Sequence, residues 1–257
     1  MHYPDLRIHH LTFPTKNFTY YKPLVLSLRK IDNDYLLKTA FVNTEGDIHS
    51  IYKVWVVQNK GKFYFSNFEL RERRKLNYYS YDEITFRYDD LHDFDEDLSY
   101  QSVLMNQKIA KFFNSEPKYF TQFIFKNTQS RYKFLGFDFH QGAEYDIQQS
   151  AAAEVINYVI YSSNSTEYEP HEIVHLYMTN YCSTNCPEFL DEGIATLIGG
   201  NIIKDFKEDL KVFRRVMNEY EDYIPGLHKN RQYDSQETNM NYAVYAIVCF
   251  TLLQQMN

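Results

Sequence analysis

With 27 basic against 34 acidic side chains in 257 residues, the chain carries a net charge of −7, which argues against nucleic acid or an anionic membrane surface as its main partner. Its 44% apolar content is enough for a core in one large domain or two modest ones. No apolar run reaches the roughly 18–20 residues that cross a bilayer, so no membrane span is expected.

The 24 Tyr and 20 Phe, set against a single Trp, favour strands. Met1-His2-Tyr3-Pro4-Asp5 has no apolar region after it and is not a signal peptide. Location is left open, with a secreted or periplasmic site expected where a leader has been removed. His9-His10 has no carboxylate at helical spacing and reads as a surface pair.

Tyr20 to Arg29 and Tyr35 to Asn43 read as strands. Ser50 to Phe68 is a hairpin, because alternating apolar residues break at Asn59-Lys60-Gly61 and resume at Lys62. Arg71 to Arg74 reads as a solvated turn or strand edge, and Ile84 to Tyr88 as a further strand. Asp89 to Asp97 holds Asp89, Asp90, Asp93, Asp95, Glu96 and Asp97. It lacks the Gly and the ligand spacing of an EF-hand, so we read it as a linker that supplies negative charge to the next helix. The expected boundary falls there, giving a β-rich accessory domain over residues 1–97 and a second domain over 98–257.

Ser99 to Asn114 is helical by the spacing of Val103, Leu104, Ile109, Phe112 and Phe113. Lys118 to Phe125 reads as a strand, Ser130 to Leu135 as a short helix ending at Gly136, and Ala153 to Tyr161 as one strand. A polar loop, Ser162 to Glu169, leads into the most informative stretch. Further helices are expected over Asp205 to Tyr220 and Asn239 to Gln255. The chain is therefore expected to be α+β, with an N-terminal β-rich module and then a small mixed sheet and a helical C-terminal part.

Pro170 to Gly200 opens with His171-Glu172-Ile173-Val174-His175, an H-E-x-x-H motif. In a helix His171 and His175 share one face and can grip one metal ion, with Glu172 beside it as a base. A catalytic zinc needs a third protein ligand and an open position. Pro187 is placed to open a second helix, and Gly199-Gly200 to close it. That helix carries Glu192, with Glu188 and Asp191 as rival third ligands. The structural alternative is an ordinary amphipathic helix with polar surface residues. Cys182 and Cys186 read as free thiols, with a disulfide or a metal pair as alternatives. Cys249 reads as a buried small hydrophobe.

The HExxH motif followed by Glu192-Gly193-Ile194-Ala195 resembles the gluzincin metallopeptidases. The metzincin pattern is absent, since position 178 is Met and position 181 is Tyr. The resemblance covers roughly residues 99 to 257. It implies a gluzincin-type catalytic domain with Zn2+ held by His171, His175 and Glu192, and with Glu172 as catalytic base. It also implies a peptide or protein substrate paired along the edge strand, read here as Val155 to Tyr161. A Tyr or His from a following helix would stabilise the oxyanion; Tyr242 is the first choice, ahead of Tyr245 and His228. Asn180, Asp191 and Thr196 are candidate partners for the imidazoles. Zinc aminopeptidases of this kind carry Gly-x-Met-Glu-Asn on the edge strand; Ala152-Ala153-Glu154 departs from it, so Glu154 is a poor amine anchor. The first 97 residues look similar to a cystatin-like module. The alternative function is a metallopeptidase-like binding protein with little or no turnover. The oligomeric state is not readable from the sequence.

Overall fold

The computed structural model describes residues 20–141, 151–154, 157–178, 181, 186–200, 205–219 and 240–255. The α+β organisation is as expected: one antiparallel sheet and one mixed sheet, with helices. Packing divides the chain into two discontinuous units, one within Met1–Asn77 and Phe125–Gln149, the other within Tyr78–Ile124 and Ser150–Asn257. A single cut after residue 97 does not describe this grouping.

In the first unit, β1 (Lys22–Ile31), β2 (Asp34–Val42), β3 (Ile48–Asn59) and β4 (Lys62–Asn67) form an antiparallel sheet in that order. Lys60 and Gly61 both take positive φ at the β3–β4 turn, the backbone twist that closes a tight hairpin. Leu36, Trp55 and Phe68 make a small core, with the Trp55 and Phe68 rings stacked 6.3 Å apart. The basic run is a turn rather than a strand edge, with Arg74 exposed and Arg71 and Arg73 only partly so. Glu69–Glu72 forms a helical turn, α1, continued by a 3-10 turn over Arg73–Lys75. Arg71 lies 3.8 Å over the Trp55 ring and pairs with Asp34, so a cation–π contact recruits this segment to the core.

The same unit is completed from far along the chain by the helix Thr128–Leu135, and Gly136 ends that helix in the left-handed conformation, as expected. The strand Phe137–His140 then pairs with β3 through Ser50↔His140 and Tyr52↔Phe137. These are α3 and β8 in chain order.

The second unit holds β5 (Asn77–Tyr81), β6 (Ile84–Tyr88), α2 (Glu96–Phe112), β7 (Phe120–Ile124), β9 (Ala151–Glu154) and β10 (Val159–Ser162). Its helices α4 (Pro170–Met178), α5 (Glu188–Gly199), α6 (Phe206–Glu219) and α7 (Met240–Gln255) follow. The sheet order is β5-β6-β7-β10-β9. β6, β7 and β10 run parallel, and β9 is antiparallel to β10.

This corrects the expected single strand over Ala153 to Tyr161. The chain turns back at Asn157-Tyr158, where Tyr158 takes φ 51°, and Ala151 pairs with Ser162 while Glu154 pairs with Val159. The last strand before α4 is therefore interior, and among the described residues β9 lies at the end of the sheet beside it.

The acidic segment works as its composition suggests. Asp95 caps α2 by accepting from Leu98 N at 2.9 Å, with Glu96 and Asp97 in the first turn. It also has a partner: the buried Glu167 carboxylate meets His92 Nε2 at 2.7 Å and accepts from Asp95 N at 3.0 Å. Ser102 Oγ donates to the Glu167 carbonyl at 2.6 Å, and Gln122 Nε2 to the Thr166 carbonyl at 2.9 Å. The polar loop that delivers the chain to α4 is thereby fixed on three sides.

α4 is buried along nearly its whole length. Ile173, Val174, Leu176 and Tyr177 join the main core with Ile84, Phe86, Val103 and Ile160. The Tyr177 hydroxyl donates to Asn106 Oδ1 at 2.5 Å and accepts from Lys118 N at 2.9 Å. One phenol so ties α4 to α2 and to the start of β7.

Candidate metal centre

His171 and His175 leave α4 on one face, their rings 4.9 Å apart and nearly perpendicular. α5 crosses α4 closely enough to bring a carboxylate to both. A methyl at Gly199 would lie 2.5 Å from the His171 backbone N, so only glycine permits this crossing. A methyl at Gly193 would lie 2.7 Å from Cys249 Sγ and from the Tyr245 carbonyl, which seats α5 on α7. Pro187 stands at the N-cap of α5, as the sequence suggests.

Glu192 Oε2 lies 3.1 Å from His171 Nε2 and 3.7 Å from His175 Nε2. Among the described residues, His171, His175 and Glu192 form the group whose donor atoms converge, all within 4.8 Å of one another. Glu188 is exposed and outside this group. Asp191 instead supports an imidazole, with its Oδ1 2.9 Å from His175 Nδ1. His171 Nδ1 lies 2.7 Å from the Gly200 carbonyl oxygen. Of the expected imidazole partners, Asp191 is thus one; Thr196 is buried without a described hydrogen-bond partner, and Asn180 lies outside the described residues. The Gly200 carbonyl is a partner that the sequence does not announce.

These two contacts fix the chemistry of the Nε2 atoms. A carbonyl only accepts, so His171 Nδ1 donates its proton to Gly200. A neutral His171 then presents the Nε2 lone pair toward the Glu192 carboxylate. Two acceptors at 3.1 Å need a proton or a cation between them. Two donor atoms on a zinc tetrahedron with bonds of about 2.0–2.1 Å lie about 3.3 Å apart. The observed separations bracket that value, and the donor set of two imidazoles and one carboxylate suits zinc.

With no cation there, a proton takes that place. Burial pushes His175 down, but the Asp191 hydrogen bond and the Glu172 and Glu192 charges outweigh it and raise it to about 9. Burial opposes protonation of His171 too, yet the Glu192 hydrogen bond and the Glu172 charge hold it above its usual value. Burial alone would raise Glu192, but His171 and His175 hold it below the usual carboxylate range. A group raised in this way stabilises the fold fully below its unfolded value and ceases to do so as pH climbs through its folded value. For His175 that window runs from 6.5 to about 9. A metal ion bound there would displace the same proton, so its affinity would rise with pH across that window. A chelator-competition titration should show the zinc Kd falling by about tenfold per pH unit for each proton displaced. A flat profile would mean that the imidazoles are not ligands.

Glu172 is buried beside this group. Tyr242, on α7, stacks on the His171 ring at 5.9 Å and 17°. Burial and the Glu192 and Glu172 charges push its phenol far up, and its hydroxyl donates to Glu192. Tyr245 turns its backbone carbonyl to Gly193, and His228 lies outside the described residues, as do His9 and His10. Glu169, just before α4, is 5% exposed. Burial raises it to about 7, against the hydrogen bonds of Ser162 and Asn164. Cys186 is disulfide-bonded rather than a free thiol, whereas Cys249 is free and buried as expected; Cys182 lies outside the described residues.

No protein-family model matches the chain, and neither the curated proteins nor the solved structures yield a match. No described helix is long and apolar enough to cross a membrane.

Proposed function

We propose that the chain is a zinc-dependent metallopeptidase of gluzincin type, with His171, His175 and Glu192 as ligands. The observation that carries this reading is the pair of Nε2 atoms aimed at one carboxylate oxygen while both Nδ1 atoms are held by acceptors. A zinc ion bound there would supply Lewis-acid chemistry and acidify a coordinated water.

The remaining steps belong to the chain. Glu172 takes the proton from the attacking water on its carboxylate and returns it to the leaving amine. The Gly200 carbonyl and Asp191 keep the two imidazoles in one tautomer and orientation. Tyr242 stays protonated, and its one O–H turns from Glu192 to donate toward the carbonyl oxygen as negative charge builds. The substrate backbone pairs by strand addition with β9, the end strand of this sheet among the described residues, in place of the edge expected over Val155 to Tyr161. A disulfide at Cys186 suits an oxidising compartment.

The test is digestion of an unbiased peptide library by the zinc-loaded chain, with and without chelator. Cleavage that disappears with chelator and returns with zinc supports the reading. Binding of peptides with no cleavage under either condition would favour the alternative, a metallopeptidase-like binding protein.

A further inference from the structure

A cavity of about 570 Å³ opens beside His171 and Glu172 in the second unit. That volume falls within the range of ligand pockets. Part of its wall is apolar: Met105 of α2, Leu197 and Ile198 of α5, and Phe206 of α6. Each is only half-buried and so offers surface to an occupant. The buried Glu169 also lines it. Both donors to this carboxylate, Ser162 Oγ at 2.5 Å and Asn164 Nδ2 at 2.6 Å, fall on Oε1; Oε2 receives neither. This 5% exposed carboxylate lines the cavity, and its Oε2, which neither donor reaches, can accept a hydrogen bond from an occupant. At the exposed rim, Asp205 and Glu208 outnumber Lys207.

We propose that this cavity is a substrate subsite for a lysine or arginine side chain next to the scissile bond. The aliphatic stem lies along the apolar part of the wall, and the cationic tip donates to Glu169 Oε2. The acidic rim draws the same charge toward the opening. This assignment rests on the peptidase reading for its placement beside the reacting bond; the cavity's affinity for a cation does not. A free α-amine offers the same cation without the stem, and the experiment separates the two.

The experiment uses the full chain loaded with zinc and N-acetylated peptides that differ at one residue: Lys, Arg, norleucine or Glu. Each position around the cut is scanned in turn. At one position Lys and Arg are expected to exceed norleucine by about tenfold in kcat/KM, and Glu to fall below it. Glu169→Gln keeps an acceptor for Ser162 and Asn164 and should bring the Lys-to-norleucine ratio toward one. Glu208→Lys should lower that ratio partway. Equal rates for Lys and norleucine in the unmodified chain would overturn the proposal, as would a Lys preference that survives Glu169→Gln. A gain on removing the acetyl group, whatever the side chain, would overturn it in favour of an amine site. If no peptide is cut, calorimetric binding to the Glu172→Gln chain reads the same ratio. A Glu169-dependent preference for Lys then upholds the subsite while the peptidase reading fails, and equal binding overturns the subsite.

Discussion

Replacing Glu172 by Gln is expected to leave zinc bound and to lower kcat by about 10²–10⁴-fold, the usual contribution of a positioned general acid–base. The side chain keeps its length and its buried place beside His171, but it can no longer accept the proton. The proposed ligands His171, His175 and Glu192 are untouched, so elemental analysis should still return about one zinc per chain. KM should change little, because the loss lies in the transition state. Loss of zinc together with activity would instead make Glu172 part of the metal's support. Unchanged activity would remove it from the mechanism.

The second large effect is expected at Gly199. An alanine there would bring its methyl to 2.5 Å from His171 N and 2.6 Å from Pro170 C, both backbone atoms that have no rotamer to escape into. α4 and α5 must then separate. Overpacking of this kind costs roughly 1–3 kcal/mol. Separation also pulls the Gly200 carbonyl from His171 Nδ1, and loss of such a support lowers metal affinity by about 10–100-fold. Urea denaturation and zinc competition on the same sample should show both losses. A stable Gly199→Ala chain with full zinc affinity would mean that the helices do not cross this closely.

The grouping of His171, His175 and Glu192 is legible in the sequence because helical periodicity fixes which residues share a face. His171 and His175 follow from spacing alone, and Pro187 and Gly199 frame the helix that carries Glu192. Asp191 is visible as a nearby acid. The Gly200 carbonyl is not, since a backbone acceptor leaves no mark in side-chain identity. The pairing of residues 151–154 with 159–162 is hidden for a related reason. Ala151-Ala152-Ala153-Glu154 runs into Val155-Ile156 without Gly or Pro, and the turn falls on Asn157-Tyr158. Asn157 is the one cue.

The segment around Arg71 reads as solvated because the groups that hold its helical turn, the Trp55 ring and Asp34, are distant in sequence. The discontinuous units are equally concealed, because the pairing of Phe137 with Tyr52 is long-range and has no local signature. What the residues show well is local periodicity; what they hide is which distant segments meet.

The whole reading stands on one cation held jointly by α4 and α5, and zinc-edge X-ray absorption on the reconstituted chain measures that directly. The expected spectrum has two imidazole nitrogens at about 2.0–2.1 Å, one carboxylate oxygen at about 2.0–2.2 Å and one solvent oxygen, with the carboxylate contribution lost in Glu192→Ala. A zinc shell containing sulfur, or one that Glu192→Ala leaves unchanged, would contradict it.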